Sequence, residues 1–309
     1  MLSAIRLIPT PPDDRDLLSD GNSIPRIGYV TWRVKDREDG ARVCEEAVRA
    51  GYRHFDTAYL YGSEGSVGEA VRTSGLARSD FFVTTKVWKD DLSAEGARRE
   101  LGVSLERLGL DYVDLLLIHW PRRSAEDLNW QRAITETWNA FQEFKAEGLV
   151  KSIGVANFLP HHFAALEGEV PVVNQIEVHP GYLQEEAIRY CRERGILVEA
   201  WAPLGQSRLM SNDTVRAIAE KHGVTPARVC LRFSLELGLL PIAKSANPER
   251  MRANRDVFNF ALDDEDRAAL FGLPEKTGWS GEHPDDAIPM PDLRWRLPRR
   301  RSRRGWGGG

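Results

Sequence analysis

Cysteine is scarce in this 309-residue chain: Cys44, Cys191 and Cys230 are the only three. They are far apart, odd in number and outside any CxxC pair. That argues against a disulfide framework or a zinc site and fits a reducing cytoplasm. Each falls in an apolar helical pattern and reads as a small core residue. Long apolar runs are also missing. Nothing approaches the roughly 18 uninterrupted apolar residues of a membrane helix, and the opening MLSAIRLIPTPPDD lacks the apolar core of a secretory signal. No GxGxxG follows the first β-rich run, which counts against an open dinucleotide-binding sheet. No 20–50-residue repeat is present.

What is present suits one large globular body. Hydrophobic residues make up 42% and charged residues 28%, enough for a sizeable core under an ordinary polar surface. The net charge of −4 hides an asymmetry: residues 294–309 carry seven Arg and no acid, which leaves 35 basic against 46 acidic residues elsewhere. We expect a domain over 1–293 and a basic, disordered tail over 294–309. Arg-rich tails with Trp can bind nucleic acid or anionic lipid; the reading preferred is a solubilising extension, with no nucleic-acid or membrane partner and a monomeric protein.

Eight short β-rich runs alternate with helical patterns: 26–32, 53–58, 81–88, 112–120, 150–158, 172–180, 196–205 and 239–245. Several are almost wholly apolar, as parallel strands covered by helices should be. Eight βα units in one α/β body predict a (β/α)8 barrel of the TIM type rather than an open sheet. Ahead of them, the DGN at 20–22 suits a hairpin turn that caps the barrel bottom. Behind them, 272–293 is a Pro/Gly-rich loop of the kind that carries function.

Active residues of such barrels gather at the C-terminal strand ends. Asp56 ends the second run with Tyr61 just beyond it, Lys86 ends the third, and His119 ends the fourth. Singly, each has a bland reading: a cap, a surface lysine, a core histidine. Together their chemistry is complementary. Hydride addition to a carbonyl leaves charge on oxygen that must be protonated. A phenol can do this, but its free pKa is near ~10; a neighbouring ammonium should lower it. Asp56 would keep Lys86 charged, and His119 would orient the carbonyl.

Six segments, GYRHFDTAYLYGSE, FFVTTKVW, DLLLIHWP, SIGVANF, NQIEVHP and PIAKSANPERMRAN, occur in the order found in aldo-keto reductases. The resemblance spans about residues 26–290, and the pattern is similar to the bacterial branch of 2,5-diketo-D-gluconate reductases and broad-range aldehyde reductases. It implies NADP(H)-dependent reduction of a small carbonyl substrate, with Asp56, Tyr61, Lys86 and His119 as the catalytic four. Tyr61, not Tyr59, matches the family position before Gly62. The resemblance also implies that Asn157 and Gln175 meet the nicotinamide carboxamide and Trp201 stacks on the ring. Leu204 and Gly205 would begin the pyrophosphate loop. Lys244, Ser245, Asn247 and Arg250 would hold the 2′-phosphate, where Arg and Lys suit a dianion, and Asn254 would contact adenine. The chain departs from the family at Ala156, where a serine is common, at Val30, where a glycine is usual, and at Ala253, where an acid is frequent.

On the substrate side, the resemblance makes Trp32, Trp88 and Trp120 walls of the carbonyl pocket, though any of them could merely pack beneath loops. Trp279 either closes over the substrate or anchors its own loop. Arg122 and Arg123 either attract anions or form a solvated rim. No metal is expected: a metal-dependent hydrolase would need convergent ligands, and the adjacent His161 and His162 are expected to face different directions. A short-chain dehydrogenase would show Tyr-x-x-x-Lys, which is absent. A cofactor-sensing subunit without turnover is disfavoured by the complete tetrad.

Overall fold

A computed structural model describes residues 14–34 and 38–286. The expected boundary at 293 and the Arg-rich tail lie outside the described residues. A hairpin of β1 (Arg15–Leu17) and β2 (Ser23–Pro25) comes first. Then follow β3 (Gly28–Val30), α1 (Glu38–Arg49), β4 (His54–Asp56), α2 (Glu64–Thr73), β5 (Phe82–Val87), α3 (Ala94–Leu108), β6 (Val113–Ile118), α4 (Trp130–Ala146) and β7 (Val150–Ala156). The chain continues through β8 (Val173–Glu177), α5 (Glu185–Arg192), β9 (Leu197–Trp201), α6 (Asp213–His222), α7 (Pro226–Glu236), β10 (Leu240–Ala243), α8 (Pro248–Arg255) and α9 (Asp264–Phe271).

Strands β3 to β10 close into a parallel eight-stranded barrel, with β10 beside β3. The eight β-rich runs therefore supply its eight staves. Their near-continuous apolar character follows from burial on both faces; β5, β6 and β8 are buried throughout. The helices start and stop on local chemistry. The Ser93 and Thr225 side chains accept the Gly96 and Arg228 amides at the starts of α3 and α7, and left-handed Gly109 ends α3. Cys44, Cys191 and Cys230 are buried on α1, α5 and α7 and are in no disulfide.

One crossover departs from the alternating pattern. Between β7 and β8 the chain forms a 3-10 helix, Pro160–Ala165, in place of an α-helix. Pro160, Gly168 and Pro171 leave too short an uninterrupted stretch for one.

The hairpin seals the N-terminal end of the barrel. Leu18 and Ile24 pack with Phe82, Leu115, Leu117 and Ile242. The Asn22 amide donates to Ser152 Oγ at 3.0 Å, and that hydroxyl donates to Asp20 at 2.8 Å, at the start of β7. Among the described residues, the C-terminal rim is the end left open. Helices α2 and α3 touch backbone to backbone: a Cβ on Gly68 would sit 1.8 Å from the Leu108 carbonyl oxygen. Gly68→Ala should therefore cost about 1–3 kcal/mol in urea unfolding, as overpacking does; an unshifted midpoint would show that the two helices can part freely.

Candidate active site

The three strand ends and one loop converge. Asp56 closes β4, Lys86 lies near the end of β5 and His119 directly follows β6, all of them buried. Tyr61 ends a 3-10 turn, Tyr59–Tyr61, that Gly62 stops in a left-handed conformation at φ 62°. Lys86 Nζ donates to Asp56 Oδ1 at 2.5 Å, to the Thr57 carbonyl at 2.9 Å and to Tyr61 Oη at 3.4 Å. On its other side Tyr61 Oη lies 3.5 Å from His119 Nε2. Tyr59 is excluded from this cluster, because its ring lies under the Arg107 guanidinium.

Burial dominates the electrostatics. It pushes Asp56 up and Lys86 down, and each opposes the other's shift through their ion pair. His119 is held well below the usual histidine range, first by burial and then by Lys86, so the imidazole is neutral. Tyr61 corrects the sequence-based expectation. Burial, followed by the Asp56 carboxylate, pushes the phenol well above its ordinary value, where a lowering by Lys86 was expected. The reason is geometric: the ammonium is nearer to Asp56 than to the phenol and is neutralised there.

Neighbouring side chains brace the four. Asn157 adopts a left-handed backbone, φ 62°, which asparagine tolerates better than most residues. Its amide donates to the His119 carbonyl at 2.9 Å and accepts from Trp201 Nε1 at 2.8 Å. Gln175 spends its two N–H groups on Asp56 Oδ2 at 2.8 Å and Glu199 Oε2 at 2.7 Å. The Trp32 ring lies 4.9 Å from that of Tyr61, and Trp88 meets His119 edge to face at 5.1 Å. Trp88 is buried and its indole N–H goes to Asp90, whereas Trp120 is half-buried.

Two loops cover one side. Gly205 and Gly278 approach so closely that a Cβ on Gly205 would lie 3.2 Å from Gly278 Cα. Arg208 donates to the Gly278 and Trp279 carbonyls, and Ser280 donates to Glu177 Oε2 at 2.6 Å. Trp279 lies 5.8 Å from Tyr182 and donates to the Glu282 carbonyl in its own loop. Across the barrel rim, Lys244 and Arg250 are exposed at the start of α8. Asn247 Oδ1 caps that helix by accepting the Arg250 amide at 2.9 Å, Ser245 Oγ accepts the Asn247 amide at 3.1 Å, and Asn254 is buried.

A second expectation needs correction. His161 and His162 do not face apart: both Nε2 atoms lie 3.0 Å from Asp285 Oδ1. The convergence still does not suit a metal. His162 Nδ1 accepts the Leu159 amide at 3.0 Å, so a neutral ring carries its proton on Nε2 and donates it to Asp285. Arg122 is 3.5 Å from the same carboxylate and donates to the Ala125 carbonyl, so it is committed to the rim.

Sequence reasoning missed His54 and Glu199, which lie fully buried beneath the four. A signal existed. His54 is two residues before Asp56 and Glu199 two before Trp201, a period that puts each pair on one face of its strand. Charged groups inside otherwise apolar parallel strands need a reason.

The profile of the Aldo/keto reductase family matches residues 26–273. The chain belongs to this family. An aldo-keto reductase of Mycolicibacterium smegmatis is 42% identical over 262 residues, covering 84% of this chain and 93% of its own. Glyoxal reductase of Bacillus subtilis is 37% identical over 284 residues, 91% and 100% of the two chains. Among solved structures, an aldo/keto reductase from Brucella melitensis superposes with a TM-score of 0.78 at 42% identity, covering 86% of this chain and 98% of that one. A variant of Gox0644 in complex with NADPH gives 0.80 at 39%, covering 88% and 97%.

In this aldo-keto reductase the Lys86–Asp56 pair is wholly buried, so removing one partner strands the other. Lys86→Met should cost about 3–5 kcal/mol in urea unfolding, and Asp56→Leu a similar amount. The double replacement should cost clearly less than the two together; strictly additive losses would mean that the pair is not coupled.

Proposed function

We propose that the chain is an NADPH-dependent carbonyl reductase of broad small-molecule range, with Tyr61 as its general acid. The observation that carries this reading is the placement of Tyr61 Oη between Lys86 Nζ at 3.4 Å and His119 Nε2 at 3.5 Å. NADPH, when bound, supplies the hydride that no side chain can.

The residues fit that cofactor. Lys244 and Arg250 stand at the positive end of a helix, where a phosphate dianion is favoured. Ser245 and Asn247 hold the turn in shape. Gln175 has both N–H groups engaged, so its carbonyl oxygen is the end left for a carboxamide. Each end of the Asn157 amide retains one further hydrogen-bonding site. Half-buried Trp201 would offer a ring face, Leu204 and Gly205 would open the loop over the pyrophosphate, and buried Asn254 would meet the adenine. The NADPH bound by Gox0644 and the glyoxal reductase relative support this assignment.

The division of labour follows from the geometry. Tyr61 keeps its proton in the buried site and gives it up only as charge develops on the carbonyl oxygen. Lys86 offsets the phenolate left behind. Asp56 holds Lys86 protonated and in position. Neutral His119 offers an N–H to the carbonyl oxygen and fixes its direction. Trp32 and Trp120 wall the pocket and exclude water, Trp88 backs His119, and Trp279 holds the covering loop against Tyr182. We assign a monomeric, cytoplasmic enzyme acting on aromatic aldehydes and 1,2-dicarbonyls. Among the described residues no helix is long and apolar enough to cross a membrane.

Tyr61→Phe should retain NADPH binding, read by protein fluorescence, and lose about 10²–10⁴-fold in NADPH oxidation with such carbonyls; wild-type turnover would remove Tyr61 from the role. Arg250→Ala should weaken NADPH by about 1.5–3 kcal/mol, as loss of a charged hydrogen bond does, and NADH by much less. Equal losses would refute the 2′-phosphate assignment.

A further inference from the structure

Beneath the four residues lies a second polar layer, of which only Gln175 has a part in the mechanism above. Glu199, on β9, is fully buried, as are His54 on β4 and Gln175 on β8. Glu199 Oε2 accepts from Gln175 at 2.7 Å, and the same nitrogen donates to Asp56 at 2.8 Å. Glu199 Oε1 lies 3.6 Å from His54 Nε2, which is also 3.2 Å from Thr84 Oγ1. Among the described residues, Glu199 Oε1 and His54 Nδ1 have no hydrogen-bond partner.

Charge counting makes this layer consequential. The groups facing Glu199 are Asp56 and His54 from β4, Lys86 from β5 and the uncharged Gln175 from β8. Arg15 of the hairpin bears on His54, and Glu64 of α2 bears on Lys86. At the mouth, Glu282 bears on Tyr61. Two carboxylates thus share one ammonium at the barrel centre, and an unpaired buried anion is costly.

We infer that Glu199 retains a proton, leaving Asp56 as the one carboxylate charge bridged to Lys86, and that Glu199 is a positioning residue whose ionisation slows proton donation by Tyr61. Burial, and then Asp56, push Glu199 up to about 8, while burial pushes the facing His54 down to about 3, so both are neutral near pH 7. Ionised Glu199 would compete for Lys86, and a phenolate forming at Tyr61 would then be the third negative charge around one ammonium. Gln175 transmits the change mechanically, since its amide is fixed between both carboxylates.

The kinetic part of this inference rests on the carbonyl-reductase reading, whereas the proton on Glu199 does not. Infrared spectroscopy with ¹³C-labelled glutamate tests the proton directly in the unmodified protein. Within the protonated-carboxyl signal at pH 7, one component should fade around pH 8, be missing from Glu199→Gln and be kept in Glu100→Gln. The control is Glu100→Gln, because Glu100 is also pushed up, to about 9. No glutamic-acid band at pH 7, or one unchanged in Glu199→Gln, overturns the inference.

In the rate profile, wild-type kcat should fall about tenfold per pH unit above about 8. Glu199→Gln should hold its plateau there, with the change in kcat rather than KM. An identical alkaline limb in the variant overturns the positioning role. If the wild type reduces no carbonyl at any pH, the proposed function fails and the infrared result still stands. Stability gives a third readout. A carboxyl raised from 4.5 to about 8 on folding contributes stability below pH 4.5 that is lost as pH rises through 8. The wild-type Tm should therefore fall across that window and that of Glu199→Gln should fall less; parallel curves contradict the inference.

Discussion

The ion pair between Lys86 and Asp56 is the constraint on which the site depends. At 2.5 Å and without solvent, neither charge is tolerable alone, so the barrel must bring β4 and β5 into one register. That register puts Asp56 beside Thr84, one pleat below Lys86 on the same face. The ammonium is then directed at the Thr57 carbonyl and the Tyr61 phenol, because its donors have few other acceptors within reach. The turn carrying Tyr61 is held by the same neighbourhood: Ser63 Oγ donates to Thr31 Oγ1 at 2.8 Å, and Thr31 Oγ1 to the Asp56 carbonyl at 3.1 Å.

The two ends of the barrel divide stability from chemistry. At the N-terminal end the hairpin adds apolar contacts and a short polar ladder. At the C-terminal end the strand-end side chains are polar and braced through other side chains. Asn157 ties His119 to Trp201, and Gln175 ties Asp56 to Glu199. The covering loop is fastened by Arg208 on the Gly278 and Trp279 carbonyls, by Ser280 on Glu177 and by Asp285 on the two histidines. Its position over the rim is therefore set by charged hydrogen bonds, which are stronger than neutral ones.

Much of this was legible in the chain. Near-continuous apolar runs announced parallel strands, and polar residues closing three successive runs announced a site. Turn chemistry at DGN placed the hairpin. Other features depended on proximity. The crossover after β7 looked like its neighbours until its prolines are weighed against the length available. His161 and His162 point together because a 3-10 turn and the covering loop present Asp285 to both, and adjacency alone does not set that. His54 and Glu199 read as ordinary strand residues, although their polarity on an inward face marked them.

The sequence by itself determined the fold, because alternation of buried strands and amphipathic helices is a local pattern repeated eight times. It also marked Asp56, Lys86 and His119, because strand ends fall where apolar runs stop, while Tyr61 rather than Tyr59 followed from the family resemblance. The tertiary structure decided the electrostatics. Whether a phenol is lowered by an ammonium depends on what else that ammonium touches, and here it touches Asp56 more closely. Whether a glutamate keeps its proton depends on how many charges the closed barrel forces together away from bulk solvent. Both are properties of distance and burial, which no single strand of the sequence contains.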